Sequence, residues 1–120
     1  MATMTNRMYG IRRCDTVKKA RVWLDQRGIE YEFHDFQRDG VERAMLERWC
    51  EEFGWEKVLN RAGTSFRSLA DSDKQNLDAA KALRMMQVQP SMIKRPLLQA
   101  GRRWVLGFAP EQYGLVFAGK

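Results

Sequence analysis

Only two cysteines, Cys14 and Cys50, and one histidine, His34, occur in these 120 residues, so the spaced sets of soft ligands that hold zinc are missing. Two thiols are also too few for the disulfide framework of a small secreted domain, which points to a reducing, cytoplasmic setting. No apolar run approaches the roughly 18–20 residues needed to cross a bilayer. The opening Met1-Ala2-Thr3-Met4-Thr5-Asn6 lacks the hydrophobic core of a signal peptide, so a soluble protein is expected. Repeats, low-complexity tracts and linker composition are absent too. Prolines number three, Pro90, Pro96 and Pro110, and each therefore carries positional meaning as a helix stop, a strand entry and a first helical turn.

What is present fits one core. At 44% hydrophobic content the chain is long enough for a single packed domain over residues 1–120, with 1–6 a short N-terminal tail. The net charge of +6 is segregated. Residues 1–21 hold six Lys/Arg against one acid, residues 92–120 hold five against one, and residues 22–91 hold ten against thirteen. If the two ends fold together they form a basic pocket suited to a small anionic substrate. Basic side chains do not interleave with aromatics in a nucleic-acid motif, and no membrane-seeking segment stands out.

The reading along the chain starts with a short buried strand over residues 7–11 that ends just before Cys14. Val17, Ala20, Trp23 and Leu24 recur at helical spacing, and Gly28 supplies a stop. Residues 29–35 alternate with period two, giving a half-buried strand and a βαβ unit with parallel strands. Residues 41–90 read as a helical insertion: a helix over 41–53 with Met45, Leu46, Trp49, Cys50 and Phe53 on one face, an ordered loop over 57–64, polar turns, and a helix over 77–88. A β-hairpin over 95–107, turning at Gly101, and a terminal helix from Pro110 complete the chain. The fold class is α/β, a thioredoxin-like mixed four-stranded sheet with a helical insertion between the second and third strands. In that architecture Pro96 falls beside the cysteine-bearing turn, and a cis Arg95-Pro96 bond becomes more probable than the roughly 5–6% of X-Pro bonds at large.

Cys14 is the leading candidate for chemistry. It stands where a strand gives way to a helix, and the first amides of a helix carry orphan N–H groups and the positive end of the dipole. A thiol there gains thiolate character, and the thiolate is the nucleophilic form. Arg12, Arg13, Lys18 and Lys19 add positive charge, which Asp15 partly offsets. Arg13 and Lys18 are candidate contacts for a substrate carboxylate. Asn6, Thr16 and Ser91 are weaker candidates for anion contacts, equally at home as caps and turns. Cys50 reads as a core thiol from its phase with Leu46, Trp49 and Phe53, and His34 reads as a polar-face strand residue. The four tryptophans read as buried, Trp55 being the most exposed of them.

The cysteine segment Tyr9-Gly10-Ile11 with Cys14-Asp15-Thr16-Val17-Lys18-Lys19-Ala20, the strand Tyr31-Glu32-Phe33-His34-Asp35, the stretch Leu59-Asn60-Arg61 with Gly63-Thr64, and Ile93-Lys94-Arg95-Pro96 together resemble the arsenate reductase and Spx family, and within it the YffB branch. The resemblance runs from Arg7 to Phe117. It implies a thioredoxin-like fold, a catalytic Cys14, anion-binding Arg95 and Arg61, and Pro96 as the structural active-site proline. The activity it implies is that of a glutathione-dependent thiol reductase, with glutathione as co-substrate, no metal, and glutaredoxin as a further partner. Arsenate reductase proper and a non-catalytic, polymerase-binding regulator of the Spx kind are the alternatives. Three departures bear on these. Gly107-Phe108-Ala109 stands where arsenate reductases carry a third arginine. Val17 occupies the position of the second cysteine of the Spx switch, and Asp15 follows the nucleophile directly. A monomer is expected, since no coiled-coil pattern or broad apolar stripe is evident.

Overall fold

The computed structural model describes residues 6–118. In chain order the elements are β1 (Asn6–Gly10), α1 (Asp15–Gln26), β2 (Glu32–Asp35), α2 (Phe36–Asp39), α3 (Arg43–Phe53), α4 (Trp55–Val58), α5 (Thr64–Arg67), α6 (Asp71–Lys74), α7 (Ala79–Val88), a 3-10 turn (Pro90–Met92), β3 (Leu97–Ala100), β4 (Arg103–Leu106) and α8 (Pro110–Phe117). The tail expected over 1–6 lies outside the described residues except at Asn6, which is the first residue of β1 rather than part of a tail. The chain divides into two compact units, one made of residues up to Phe36 and from Arg95 onward, the other of Gln37–Lys94.

The first unit is the sheet with its two longer helices. Strand order is β2-β1-β3-β4, with β2 parallel to β1 and β3 and β4 antiparallel to their neighbours, the mixed thioredoxin-like sheet expected from the sequence. Phe33, Met8, Leu98 and Val105 lie side by side across the four strands. Met8, Leu98 and Val105 form one apolar cluster with Val17, Ala20 and Leu24 of α1 and Tyr113 of α8. Helix α1 exists because Val17, Ala20 and Leu24 repeat along one face and are fully buried. It ends in a Schellman motif: Ile29 N–H bonds Leu24 O at 3.1 Å, Gly28 N–H bonds Asp25 O at 3.1 Å, and Gly28 takes φ +65°. Trp23 reaches from α1 to α8, edge-on to Tyr113 at 5.5 Å and 6.2 Å from Phe117.

The second unit is the helical insertion, running from Gln37 to Lys94 against the expected 41–90. Leu46 and Trp49 of α3, Val58 of α4 and Ala82, Leu83 and Met86 of α7 are buried. Asp78 caps α7 by accepting a 2.8 Å hydrogen bond from Lys81 N–H. Leu59 bridges Ile93, and two flanking bonds, Asn60 N–H to Met92 O and Lys94 N–H to Val58 O, both 2.8 Å, close the insertion on itself. Several local details differ from expectation. The stretch 57–64 begins within helical α4, and the polar turns contain α5 and α6. Each is a single turn of four residues, too short to establish a 3.6-residue period. Strand β2 pairs only from Glu32, because the first register pair is Arg7 with Glu32. Of the tryptophans only Trp49 is fully buried; Trp23, Trp55 and Trp104 are half-buried.

Candidate active site

The turn after β1 sets the geometry. Cys14 N–H bonds Ile11 O at 3.0 Å, which closes the Arg12-Arg13 turn, and Cys14 then takes the extended conformation (φ −69°, ψ 128°) of an N-cap. Its carbonyl accepts the first bond of α1, from Lys18 N–H at 2.9 Å. The amides of Asp15, Thr16 and Val17 precede that bond and have no intrahelical acceptor. The Cys14 side chain makes no capping hydrogen bond, and it is half-buried against the Met8–Val17–Leu98 cluster. Cys14 thus stands at the positive end of a 12-residue helix, directly before the three amides that lack an intrahelical acceptor.

Strand register places further groups at the same sheet edge. Tyr9 lies opposite Leu97, so the end of β1 meets the start of β3, where the Arg95–Pro96 peptide is cis. Pro96 is buried, and its carbonyl accepts Gly107 N–H at 2.8 Å, tying the exit of β4 to the entry of β3. Gly107 takes φ +83°, which glycine adopts at no steric cost, and its own carbonyl accepts the Tyr113 hydroxyl at 3.4 Å. Burial pushes that phenol well above its usual ionisation range. The carboxyl ends of β1 and β2, the amino end of β3 and the amino end of α1 therefore converge, the arrangement in which open α/β sheets bind ligands.

The sequence candidates distribute unevenly over this edge. Cys14, Arg13, Lys18, Arg95 and Pro96 all belong to the sheet unit. Arg13 and Lys18 are exposed, and Arg95 is half-buried with its Nε shielded from solvent. Arg61 is exposed and belongs to the helical insertion, just beyond the Leu59–Ile93 bridge. Cys50 also lies in the insertion, half-buried on α3, and burial raises its pKa. His34 is not on a polar face: it is half-buried, 5.2 Å from the ring of Tyr9 and 6.4 Å from Phe36. Among the described residues no cluster of three His, Cys, Asp or Glu side chains suits a metal. No helix of the described residues is long and apolar enough to cross a membrane.

Two site-edge residues are not evident from sequence pattern alone. Asp35, at the end of β2, is buried and lies 3.9 Å from Arg12 Nε through Oδ2. The period-two pattern that marks β2 puts it on the face of Phe33, which is the available signal. Gly10 is the second. A Cβ there would stand 2.8 Å from Val17 Cγ2 and 3.4 Å from Cγ1, so the absent side chain lets the first turn of α1 approach the end of β1. Gly10→Ala is expected to cost about 1–3 kcal/mol by overpacking, read as a lowered melting temperature. Adding Val17→Ala, which removes both clashing methyls, recovers part of the loss; a Gly10→Ala melt equal to native would show that the close approach is unimportant.

Comparison with known proteins agrees with this architecture. The family model described as ArsC family matches residues 9–116. A protein of Haemophilus influenzae, itself described only as uncharacterized, is 37% identical over 111 residues, 92% of this chain and 97% of its own length. The global transcriptional regulator Spx of Streptococcus mutans is 24% identical over 101 residues, 82% of this chain and 73% of its own. Among solved structures, the YFFB protein matches with TM-score 0.92 and 53% identity over 95% of this chain and 100% of its own. An arsenate reductase (ArsC) related protein from Brucella melitensis matches with TM-score 0.76 and 45% identity over 98% of both chains. A glutaredoxin from Archaeoglobus fulgidus, at TM-score 0.50 and 15% identity over 98% of this chain and 90% of its own, shares the fold alone.

Proposed function

This chain belongs to the ArsC family, and from that premise we propose that it is a glutathione-dependent thiol reductase whose nucleophile is Cys14. The observation that carries the reading is the uncapped Cys14 side chain at the amino end of α1, at the sheet edge shared with cis Pro96. The Cys14 thiolate attacks one sulfur of a mixed disulfide between glutathione and a substrate thiol. The sulfur–sulfur bond breaks, the substrate leaves as its thiolate, and Cys14 retains glutathione as a new disulfide. A second glutathione thiolate then attacks the glutathione sulfur, releasing oxidised glutathione and restoring Cys14. The net reaction takes one mixed disulfide and one glutathione to one thiol and one oxidised glutathione.

Glutathione resolves the intermediate because the chain offers no neighbouring thiol. Val17 stands three residues beyond Cys14, and Cys50 is half-buried in the insertion with a raised pKa. Arg95 supplies positive charge to the anionic substrate and to the departing thiolate, with Arg13 and Lys18 of the same unit as further contacts for carboxylates. Glutaredoxin is the protein partner that this chemistry would accept in place of free glutathione.

Arg95→Ala is expected to lower kcat/KM on the order of tenfold to hundredfold while leaving alkylation of Cys14 by iodoacetamide in place. The assay couples release of oxidised glutathione to glutathione reductase and follows consumption of NADPH. Turnover that persists without glutathione, or an Arg95→Ala enzyme equal to native, would refute these roles. Arsenate reduction proper is the second reading, favoured by the family itself. Gly107-Phe108-Ala109 offers no third arginine to an arsenate dianion, and arsenate-dependent turnover coupled to glutaredoxin would establish it. The Spx likeness favours a third, regulatory reading, for which capture of the RNA polymerase α subunit by a Cys14→Ser variant is the test.

A further inference from the structure

The two arginines before Cys14 have different surroundings. Arg12 Nε lies 3.9 Å from Asp35 Oδ2, and its guanidinium stands 5.6 Å from the centroid of Phe33, whose ring also carries Arg21 at 4.2 Å. Both arginines are exposed, and Arg12 reaches β2 through Asp35 and the ring of Phe33. Asp35 is the one buried charged residue among those described, 8% exposed. It pairs in register with Gly10 and shares the face of Phe33, the face on which α1 packs. Gly10 touches Val17 in the first turn of α1. Gly10 thus lies between Asp35, its register partner on β2, and Val17 in the first turn of α1.

Building on the thiol-reductase reading, we propose that Asp35 is a specificity-determining residue. It clamps Arg12 and adds a fixed negative charge beside the amino end of α1, and so disfavours small inorganic dianions relative to thiol substrates of lower charge. A fixed charge repels a dianion twice as strongly as a monoanion at the same distance, and at physiological salt this reaches across roughly 8 Å of solvent, farther through protein. Two features of the sequence therefore act in one direction: the missing third arginine withholds a cation, and Asp35 occupies one that is present.

The test uses inorganic phosphate as the probe, at constant pH and ionic strength, with binding read from the amide NMR shifts of Asp15, Thr16 and Val17 in the full chain. Asp35→Asn, which removes the charge but keeps the shape, is expected to bind phosphate about tenfold more tightly than native. Arg12→Met removes the cation that offsets Asp35 and is expected to bind at least about threefold more weakly. Asp35→Glu is expected to behave as native. A purely structural role for the pair would weaken binding in both charge-removing variants, so opposite signs are the signature. Unchanged or weaker binding in a folded Asp35→Asn protein, or tighter binding in Arg12→Met, overturns the proposal. If Asp35→Asn does not fold, Arg12→Met and Asp35→Glu decide it. The amide shifts need no reactive thiol, so the role of Asp35 is measurable even in a protein that lacks thiol-reductase turnover.

Discussion

Cys14→Ser is expected to lower glutathione-dependent turnover by at least ~10³-fold while leaving the fold intact. The Cys14 sulfur forms and breaks every bond in the proposed cycle, and neither a serine hydroxyl nor Cys50 replaces it. The same substitution is expected to hold or slightly raise stability. Cys14 occupies the N-cap of α1 without a capping hydrogen bond, and serine is among the best residues for that position, where its oxygen accepts from the amide of Thr16 or Val17. A gain of up to about 1 kcal/mol is the scale of such a cap. Turnover and stability thus move apart, which separates a chemical role from a structural one. Turnover within tenfold of native in the serine variant would remove Cys14 from the mechanism.

Leu98→Ala is expected to give the largest loss of stability among single core truncations at the sheet, about 3 kcal/mol within the 2–5 kcal/mol range for buried leucines. Leu98 is fully buried, lies between Met8 and Val105 in the cross-strand row, and packs in the cluster that holds α1 and α8 to the sheet. Its loss leaves a cavity that helices on a rigid sheet cannot readily fill. Urea denaturation gives the value directly. Val22→Ala serves as the control, because Val22 is 51% exposed on α1 and its truncation should change stability by less than about 0.5 kcal/mol. Equal effects at the two positions would contradict the core described here.

The elements that carry the site were legible because each has a strong local signature. Val17, Ala20 and Leu24 announce α1, Gly28 its end, and the apolar residues around Gly101 the hairpin. The junction of strand and helix at Cys14 follows from those boundaries. What escaped depends on groups distant in sequence. Asp35 becomes informative only when the register with Gly10 brings it to the edge shared by Arg12 and α1. Gly10 reads as a strand terminus until Val17 is seen beneath it. His34 sits at a polar position of an alternating pattern, yet the opposite face of the sheet also carries aromatic rings, and Tyr9 and Phe36 enclose it. The single-turn helices α4, α5 and α6 present no period to read. Arg95 is marked in the sequence by the proline that follows it, whereas Arg61 lies in a loop without such a marker, and the two belong to different units.

The most direct test of Cys14 as the activated nucleophile is peptide mapping of the protein after brief exposure to oxidised glutathione near neutral pH. A single added glutathione is expected on Cys14, with Cys50 unmodified because burial raises its pKa and withholds the thiolate. An adduct on Cys50 in preference to Cys14, or no adduct on Cys14 in the folded protein, would contradict that role.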